Sequence, residues 1–291
     1  MRALLITASD CSETSRAHLA RLLASLGHQS TPLELILVQR GGQAGELAPP
    51  VGVVLHTIER PSATSLSAAR NCGLAYAKEH RLIERADTVA FPDDDCVYPP
   101  GLLNAVEDAL AGGMDMVCGP YGPRRGEIDW ERFPLGPRSL TPSFVTRVVS
   151  SNNVFFASRV VHALGEFDER FGLGARLGSS EDTDYALRAL DAGFVGLYSP
   201  EDLFVSHPYK ARRPGEYYVG NVAVLAKHVL GTRRMPLSLA HRLLVGAGLL
   251  VKRRLTARAY ARAVRVAGAL VFEAVRDAAE PRSRRRAGGC E

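Results

Sequence analysis

The sequence predicts an α/β protein in which helices flank a mostly parallel central sheet, with a helical region appended at the C-terminus. Two observations carry this prediction. Apolar runs of strand length alternate with helical patterns over residues 1–208, and the formal charge changes from −8 over residues 1–208 to +13 over residues 209–291. The change in pattern and charge indicates a first domain over 1–208 and a basic helical region over 209–291.

The first half of the chain follows the order β-α-β-β-α-β-α-β. Expected strands lie at 2–8, 33–38, 51–58, 88–91 and 114–118. The first helix ends at Gly27, the second begins at the caps Thr64 and Ser65, and the third covers 100–111. Strands that alternate with helices in this way favour a parallel sheet.

The second half of the chain is predicted with shorter elements. We expect a long loop over 119–142, strand character over 145–157, a helix from Ser158 to Leu164, a glycine-punctuated loop over 167–178, a helix from Ser179 or Ser180 to Gly193, and strands at 194–198 and 203–206. Three helical patterns follow at about 214–230, 237–254 and 256–278, and the Arg282–Arg286 tail is expected to be disordered.

Cysteine usage favours a reducing compartment. The five cysteines are odd in number and form no CxxC pair, which argues against a disulfide framework and against a zinc site. The N-terminus lacks a secretory pattern, and the longest apolar run, 243–251, is far shorter than the roughly 18 residues that span a bilayer. We therefore expect a cytoplasmic protein, with a peripheral position on the inner face of the membrane as an open alternative.

Three consecutive carboxylates, Asp93, Asp94 and Asp95, follow the predicted strand 88–91 directly. Open α/β sheets place their ligands where strands end at the carboxyl side. Three adjacent like charges repel one another, and oxygen ligands of this kind suit Mg²⁺ or Mn²⁺ with a diphosphate completing the shell. The alternative is a solvated acidic turn.

A second acidic pair, Glu181 and Asp182, opens the helix predicted after the glycine-rich loop. The helix dipole favours an ionised acid there, and an ionised aspartate beside a sugar hydroxyl can act as a general base. The spacing Ser179-x-x-Asp182 also fits a capping box, in which the acid only closes the helix end.

Further polar residues have both a functional and a structural interpretation. His207 ends a strand and offers an imidazole to a metal, or it is a surface histidine. Arg70 and the adjacent Asn71 lie early in a helix, where an arginine can hold a phosphate or a base bidentately or remain solvated. Asn152 and Asn153 interrupt an apolar strand, and either a ligand or a backbone partner would satisfy them.

The combination and order of these segments resemble a known family. SLSAARNCGLAYA, VAFPDDDCVYPPGLL, SSNNVFFASRVV, GEFDERFGLG and GSSEDTDYALRALDAGF are similar to segments of the family 2 inverting glycosyltransferases of the GT-A fold. The resemblance covers roughly residues 2–208. It implies a GT-A-type nucleotide-sugar-binding fold and transfer of a sugar to a hydroxyl.

The resemblance also implies roles for individual residues. Glu181 and Asp182 would be the catalytic pair, with Asp182 as the base. Asp94, Asp95 and His207 would hold Mg²⁺ or Mn²⁺. The donor-binding set would comprise Asp93, Arg70, the neighbouring Asn71, and Asp10 after the first strand. Many relatives also carry a carboxylate after the second strand that helps to read the nucleotide base. Here the sequence at 38–42 is VQRGG, so the base of the nucleotide stays open.

The sequence therefore predicts a metal-dependent inverting glycosyltransferase, hexosyltransferase-like, in cell-surface glycan or glycolipid synthesis. Its expected partners are a nucleotide-sugar donor and a saccharide or lipid-linked acceptor. The alternative is a non-catalytic nucleotide-sugar-binding module of the same fold. A metal-dependent phosphohydrolase fits less well, because the sequence has no nucleophilic aspartate motif and no paired histidine ligands.

The basic region over 209–291 has its own open alternatives. Leu243, Leu244 and 249–251 beside Lys252-Arg253-Arg254 suit a helix on an anionic membrane. Packing on the catalytic domain or in a homodimer is the competing interpretation. Nucleic acid is not an expected partner, because aromatic residues are sparse and no recognition motif is present.

Overall fold

The computed structural model describes residues 2–42, 47–209, 217–232 and 234–279. The chain divides into two compact units. The first comprises Met1–Arg176 and Glu181–Ala211, and the second comprises Leu177–Ser180 and Arg212–Glu291. The predicted Arg282–Arg286 tail lies outside the described residues.

The first unit holds seven α-helices and ten strands among its described residues. In chain order they are β1 (Ala3–Ser9), α1 (Glu13–Leu26), β2 (Leu33–Arg40), β3 (Val53–Arg60), α2 (Leu66–Glu79), α3 (Leu82–Arg85), β4 (Thr88–Ala90), α4 (Leu102–Ala111), β5 (Met116–Cys118), β6 (Tyr121–Gly122), β7 (Arg138–Ser139), α5 (Pro142–Val148), β8 (Val154–Ala157), α6 (Ser158–Leu164), α7 (Glu181–Asp191), β9 (Gly196–Tyr198) and β10 (Val205–Ser206).

Eight of these strands form one sheet in the order β3-β2-β1-β4-β8-β5-β9-β7. Strands β1 to β4, β5 and β9 run in one direction, while β8 and β7 run in the opposite direction. Strand β10 pairs with β6 in a second, two-stranded sheet. The predicted mostly parallel sheet flanked by helices is therefore confirmed.

The centre of the sheet is covered on both faces. Every residue of β1 is buried, and β2 is buried up to Gln39, which explains their continuous apolar runs. Helix α2 approaches β1 so closely that a Cβ on Gly73 would lie 2.4 Å from Ile6 Cγ2. This contact fixes the distance between β1, the neighbour of β4, and α2, which carries Arg70 and Asn71.

Three segments differ from the prediction. Residues 145–148, expected as strand, belong to α5, which begins at Thr141-Pro142 and buries Val145 and Val148 on one face. Residues 119–142, expected as a loop, contain β6 and β7. These two-residue strands pair with β10 and β9, so their pairing partners are distant in sequence and leave no local periodicity. The short helix α3 was not predicted.

The second unit contains α8 (Tyr218–Lys227), α9 (Met235–Val251) and α10 (Ala257–Ala279). Tyr218 stacks on Tyr260, and the Tyr218 hydroxyl donates a hydrogen bond to the carbonyl oxygen of Arg242 at 3.1 Å. Ser180 Oγ, which precedes α7 in sequence, donates to Asn221 Oδ1 at 3.1 Å. No helix in the described part of the chain has the length and apolar character needed to cross a membrane.

The contact between α2 and β1 generates a stability prediction. Gly73→Ala should lower the free energy of unfolding by about 1–3 kcal/mol, because the added methyl group meets Ile6 although alanine is the better helix former. Gly126→Ala is the control, since a Cβ there meets nothing within 4 Å. Urea denaturation followed by circular dichroism measures the free energy of unfolding of both variants. Equal midpoints for the two variants would contradict the close packing.

Candidate functional site

The candidate site lies at the edge of the sheet where β1 and β4 end. Asp10 follows β1, and Asp93, Asp94 and Asp95 follow β4, which is the neighbour of β1. Strand β8 is antiparallel to β4, so its amino end lies at this same edge. Ser151, three residues before β8, is therefore brought beside the aspartates.

Ser151 joins the two acidic segments that are far apart in sequence. Its hydroxyl donates a hydrogen bond to Asp93 Oδ1 at 3.2 Å. Its backbone N–H donates to Asp182 Oδ2 at 2.9 Å. Asp93 and Asp182 are thus held on one residue, and the acids after β4 share a single site with the acids that open α7.

Arg70 makes a second connection between the same segments. Its guanidinium donates to Asp93 Oδ1 at 3.1 Å, to Glu181 Oε1 at 2.8 Å and to the carbonyl oxygen of Phe91 at 3.3 Å. Only 1% of the Arg70 side chain is exposed. A buried guanidinium needs such partners, because an unpaired charge would be expensive to remove from water. The structure therefore places Arg70 in a buried network of protein groups.

Glu181 is the buried acid of this network. Burial and the neighbouring Asp182 charge raise the pKa of Glu181 to about 7, although the Arg70 charge opposes the shift. Near neutral pH, this carboxyl is therefore present in both its protonated and its ionised form. Its Oε1 contacts Arg70 rather than solvent.

Asp182 has a different environment. It is half-buried, and its Oδ1 accepts hydrogen bonds from the N–H of Thr183 at 2.6 Å and from Thr183 Oγ1 at 3.2 Å. Together with the Ser151 N–H, these donors hold the carboxylate in place in the first turn of α7. Its hydrogen bonds thus reach across to the segment before β8 as well as within the helix end.

A short backbone bridge brings His207 to the aspartates. Val97 and Ser206 exchange two backbone hydrogen bonds, at 2.8 and 3.0 Å. His207 Nε2 consequently lies 3.0 Å from Asp95 Oδ1 and 3.8 Å from Asp93 Oδ2. The ring of Tyr121 packs edge-on against the imidazole, with 5.6 Å between centroids. The predicted metal ligands Asp95 and His207 are adjacent in the structure.

These residues fit a divalent cation. Asp95, Cys96 and His207 offer ligand atoms within 4.8 Å of one another. Burial and the neighbouring aspartates raise the pKa of the Cys96 thiol well above its usual value. In the part of the chain that the structure describes, His207 Nδ1 has no hydrogen-bond partner. Carboxylate with imidazole suits Mn²⁺, and carboxylates suit Mg²⁺.

Asp94, the third predicted ligand, lies beside the end of β1. It accepts a hydrogen bond from the side chain of Ser9. Burial, followed by the charges of Asp95 and Asp93, raises its pKa above the usual value despite that hydrogen bond. The repulsion predicted from the sequence is therefore present, and a cation would relieve it.

Asn71 connects α2 to the loop before α7. Its Nδ2 donates to the carbonyl oxygen of Phe167 and to Glu169 Oε1, both at 3.0 Å. Its Oδ1 accepts from the N–H of Phe167 at 2.7 Å. Ser67 Oγ also donates to the carbonyl oxygen of Phe171 at 2.6 Å, so α2 holds this loop at two points.

Asp10 is exposed and follows the end of β1, the strand next to β4. Hydrogen bonds from Ser15 and Ser12 lower the pKa of its carboxyl, so it stays ionised.

Of the two asparagines before β8, Asn153 Nδ2 donates to the carbonyl oxygens of Gly119 and Val148. Asn152 is 1% exposed, and its Oδ1 has no partner among the described residues. Backbone partners thus explain Asn153, and Asn152 retains an unused acceptor.

Sequence reasoning did not identify Ser151 and Ser9 as site residues. Ser151 stands directly before the asparagine pair and Ser9 directly before Asp10. Serines at the ends of strands are the only local signal, and serine is common in turns. Their importance depends on the order of strands in the sheet, which local sequence does not contain.

Comparison with known proteins agrees with this fold. The family model described as "Glycosyl transferase family 2" matches residues 12–163, a little over half of the chain. The chain belongs to this family, which confirms the predicted family and with it the predicted class of enzyme, a glycosyltransferase. A search of curated protein sequences finds no significant match.

Similar solved structures include S. aureus TarS and a mannosyltransferase, PcManGT, from Pyrobaculum calidifontis. TarS 1–349 in complex with UDP has 15% identity and a TM-score of 0.57, over 84% of this chain and 69% of that chain. PcManGT in complex with GDP-Man and Mn²⁺ has 16% identity and a TM-score of 0.58, over 96% and 76%. The chain spans only 43% of a longer TarS structure. The predicted GT-A fold is confirmed.

The environment of Glu181 generates a pH prediction. A carboxyl with a folded pKa of about 7 against 4.5 as the ordinary value binds its proton more tightly in the folded state. Its contribution to stability is complete below pH 4.5 and is lost as the pH rises towards 7. The unfolding free energy of the wild type, relative to Glu181→Gln, should therefore fall by roughly 1–3 kcal/mol between pH 5 and pH 8.

Urea denaturation at several pH values measures this difference. The exposed Glu79 of α2 provides the matched control, and Glu79→Gln should follow the wild-type pH dependence because its side chain lies in water. A constant difference between wild type and Glu181→Gln across the range would contradict the raised pKa.

Proposed function

We propose that the protein transfers a sugar from a nucleoside diphosphate sugar to a hydroxyl acceptor, with inversion at the anomeric carbon and with the help of a divalent cation. The observation that carries this proposal is the bridge at Ser151, which holds Asp93 and Asp182 on one residue. A donor-binding acid and a proton-accepting acid are thereby available within one site, as direct displacement requires.

Asp182 is the proposed general base. It is half-buried, its carboxylate accepts hydrogen bonds from Ser151 and Thr183, and it lies at the amino end of α7. An ionised carboxylate can accept the proton of an acceptor hydroxyl as that oxygen attacks the anomeric carbon. Attack on the face opposite the leaving group inverts the configuration, in the manner of the inverting glycosidases.

Glu181 and Arg70 are proposed to position the reacting groups. Glu181 directs its carboxylate to Arg70, and Arg70 holds Asp93 at the same time. This pairing fixes the start of α7 relative to the end of β4. The proposed positioning role differs from the direct catalytic role expected for Glu181 and from the phosphate contact expected for Arg70.

Asp94, Asp95 and His207 are the residues proposed to hold Mg²⁺ or Mn²⁺. The cation would neutralise the diphosphate and stabilise it as the leaving group. Mn²⁺ accompanies GDP-Man in the similar mannosyltransferase, which supports a cation beside a nucleotide sugar in this fold. Asp93 and Asp10, at adjacent strand ends, are proposed to contact the donor, together with the unpaired Oδ1 of Asn152.

The proposed donor is a nucleoside diphosphate sugar as a class. Structures of this fold contain UDP-GlcNAc in one case and GDP-Man in another, so the fold itself accepts different bases and sugars. The proposed acceptor is a saccharide or a lipid-linked hydroxyl, in the synthesis of a cell-surface glycan or glycolipid. A reducing compartment is consistent with Cys11, Cys72, Cys96 and Cys118, which are all free.

Replacing the proposed base tests the mechanism. Asp182→Asn should lower kcat by about 10²–10⁴-fold, because the amide cannot accept the proton, while affinity for the donor stays near the wild-type value. Turnover is followed as release of nucleoside diphosphate with Mn²⁺. Asp191→Asn, at the exposed end of the same helix, is the control and should turn over normally. Wild-type kcat in Asp182→Asn would exclude this residue as the base.

Replacing a proposed metal ligand tests the donor site. Asp94→Ala should weaken binding of a nucleoside diphosphate about tenfold or more in the presence of Mn²⁺, and the difference should vanish in EDTA. Isothermal titration calorimetry measures both conditions. Asp108→Ala, at an exposed position of α4, is the control and should bind like the wild type. Equal affinity of Asp94→Ala and wild type with Mn²⁺ would rule out this role.

A further inference from the structure

Helix α9 in the second unit exposes an apolar face along its whole length. One side of the helix is packed, since Met235, Leu239 and Gly246 are buried. The opposite side carries Leu237, Leu244 and Val251, spaced by seven residues, with 71%, 72% and 84% of their surface exposed. A seven-residue spacing returns to nearly the same side of an α-helix. The three side chains therefore form one stripe about 21 Å long.

Smaller residues complete this face. Ala240, Val245 and Gly248 are also exposed and lie beside the stripe, and His241 is the single polar residue among them. We define the α9 apolar face by these members: Leu237, Ala240, Leu244, Val245, Gly248 and Val251. Of the residues expected to face a membrane, Leu244 and Val251 belong to this face, while Leu243, Leu249 and Leu250 are only partly exposed.

Positive charge surrounds the α9 apolar face. The exposed Lys252, Arg253 and Arg254 follow the helix directly, and Arg234 precedes it. Over residues 234–265 the sequence contains eight lysines and arginines and no aspartate or glutamate. An apolar helix face framed by cations is the pattern of helices that lie in the interface of an anionic bilayer.

The same charges disfavour a second copy of the chain as the occupant. A parallel pair of α9 helices would place Lys252-Arg253-Arg254 against their own copies. An antiparallel pair would place these residues against Arg234 of the other chain. Both arrangements bring like charges together without an acid on α9 to compensate them. An anionic lipid surface supplies the opposite charge along the entire helix.

We propose that the α9 apolar face docks on an anionic membrane surface, with Leu237, Leu244 and Val251 inserted among the lipids and Lys252, Arg253 and Arg254 against the headgroups. The helix lies in the plane of the surface, because its packed side remains attached to α8 and α10 through Tyr218 and Tyr260. This docking is independent of the proposed sugar transfer, since it uses residues of the second unit only.

Flotation of the full chain with lipid vesicles tests the proposal. The wild type should float with vesicles of phosphatidylcholine and phosphatidylglycerol at low salt, and 0.5 M NaCl should reduce the bound fraction, because exposed charges are then screened. Vesicles of phosphatidylcholine alone should bind much less. Wild-type protein that stays at the bottom with anionic vesicles, or that floats equally with both kinds, overturns the proposal.

Two variants assign the binding to this face. The triple variant Leu237→Gln, Leu244→Gln, Val251→Gln should lose vesicle affinity about tenfold or more, and so should Lys252→Gln, Arg253→Gln, Arg254→Gln. Leu135→Gln is the matched control, because Leu135 is 73% exposed in the first unit and should not affect flotation. Unchanged circular dichroism spectra verify that each variant is folded.

Analytical ultracentrifugation separates the membrane from a second copy of the chain. Under the proposal, the apolar triple variant has the same sedimentation coefficient as the wild type and differs only in flotation. A wild-type dimer that the triple variant dissociates, with flotation unaltered, would assign the face to self-association and overturn the proposal.

Discussion

The candidate site depends on the guanidinium of Arg70, the one buried arginine or lysine side chain among the described residues. Arg70 reaches from α2 to the carbonyl oxygen of Phe91 and to carboxylates on two other segments, Asp93 and Glu181. A guanidinium with 1% exposure is tolerated only while these partners remain, since each removes part of the desolvation cost. The pairing therefore ties three elements together at the point where the chemistry is proposed. The raised pKa of Glu181 is the electrostatic consequence of the same burial.

The antiparallel direction of β8 brings Ser151 to the candidate site. Because β8 runs antiparallel within an otherwise parallel region, its amino end lies beside the carboxyl end of β4. Ser151 can then donate to Asp93 through its hydroxyl and to Asp182 through its backbone. A parallel β8 would place Ser151 at the opposite edge of the sheet. Ser151 thus joins the two acids because of topology rather than because of its own neighbours in the chain.

The two units use charge in opposite ways. In the first, acids are concentrated at one edge of the sheet, and burial together with their mutual repulsion raises the pKa of Asp94. In the second, lysines and arginines border an exposed apolar face. Residues 177–180 belong to the second unit, although they directly precede Glu181 and Asp182. The chain thus passes from one unit into the other immediately before the proposed base.

Elements whose signals are local were predictable from the amino-acid sequence. The apolar runs of β1, β2 and β4, the caps of α1 and α2, and the acids after β4 and in the first turn of α7 were all found in their places, because strand patterns, caps and charges are properties of short segments. Residues 145–148 were misassigned because their β-branched side chains suggested a strand, whereas burial of Val145 and Val148 favours the helix. Three features became visible only in the folded chain: β6 and β7 are strands, Ser151 links Asp93 to Asp182, and Arg70 is buried. Each of these contacts joins residues far apart in sequence, so its free energy exists only once the sheet has formed.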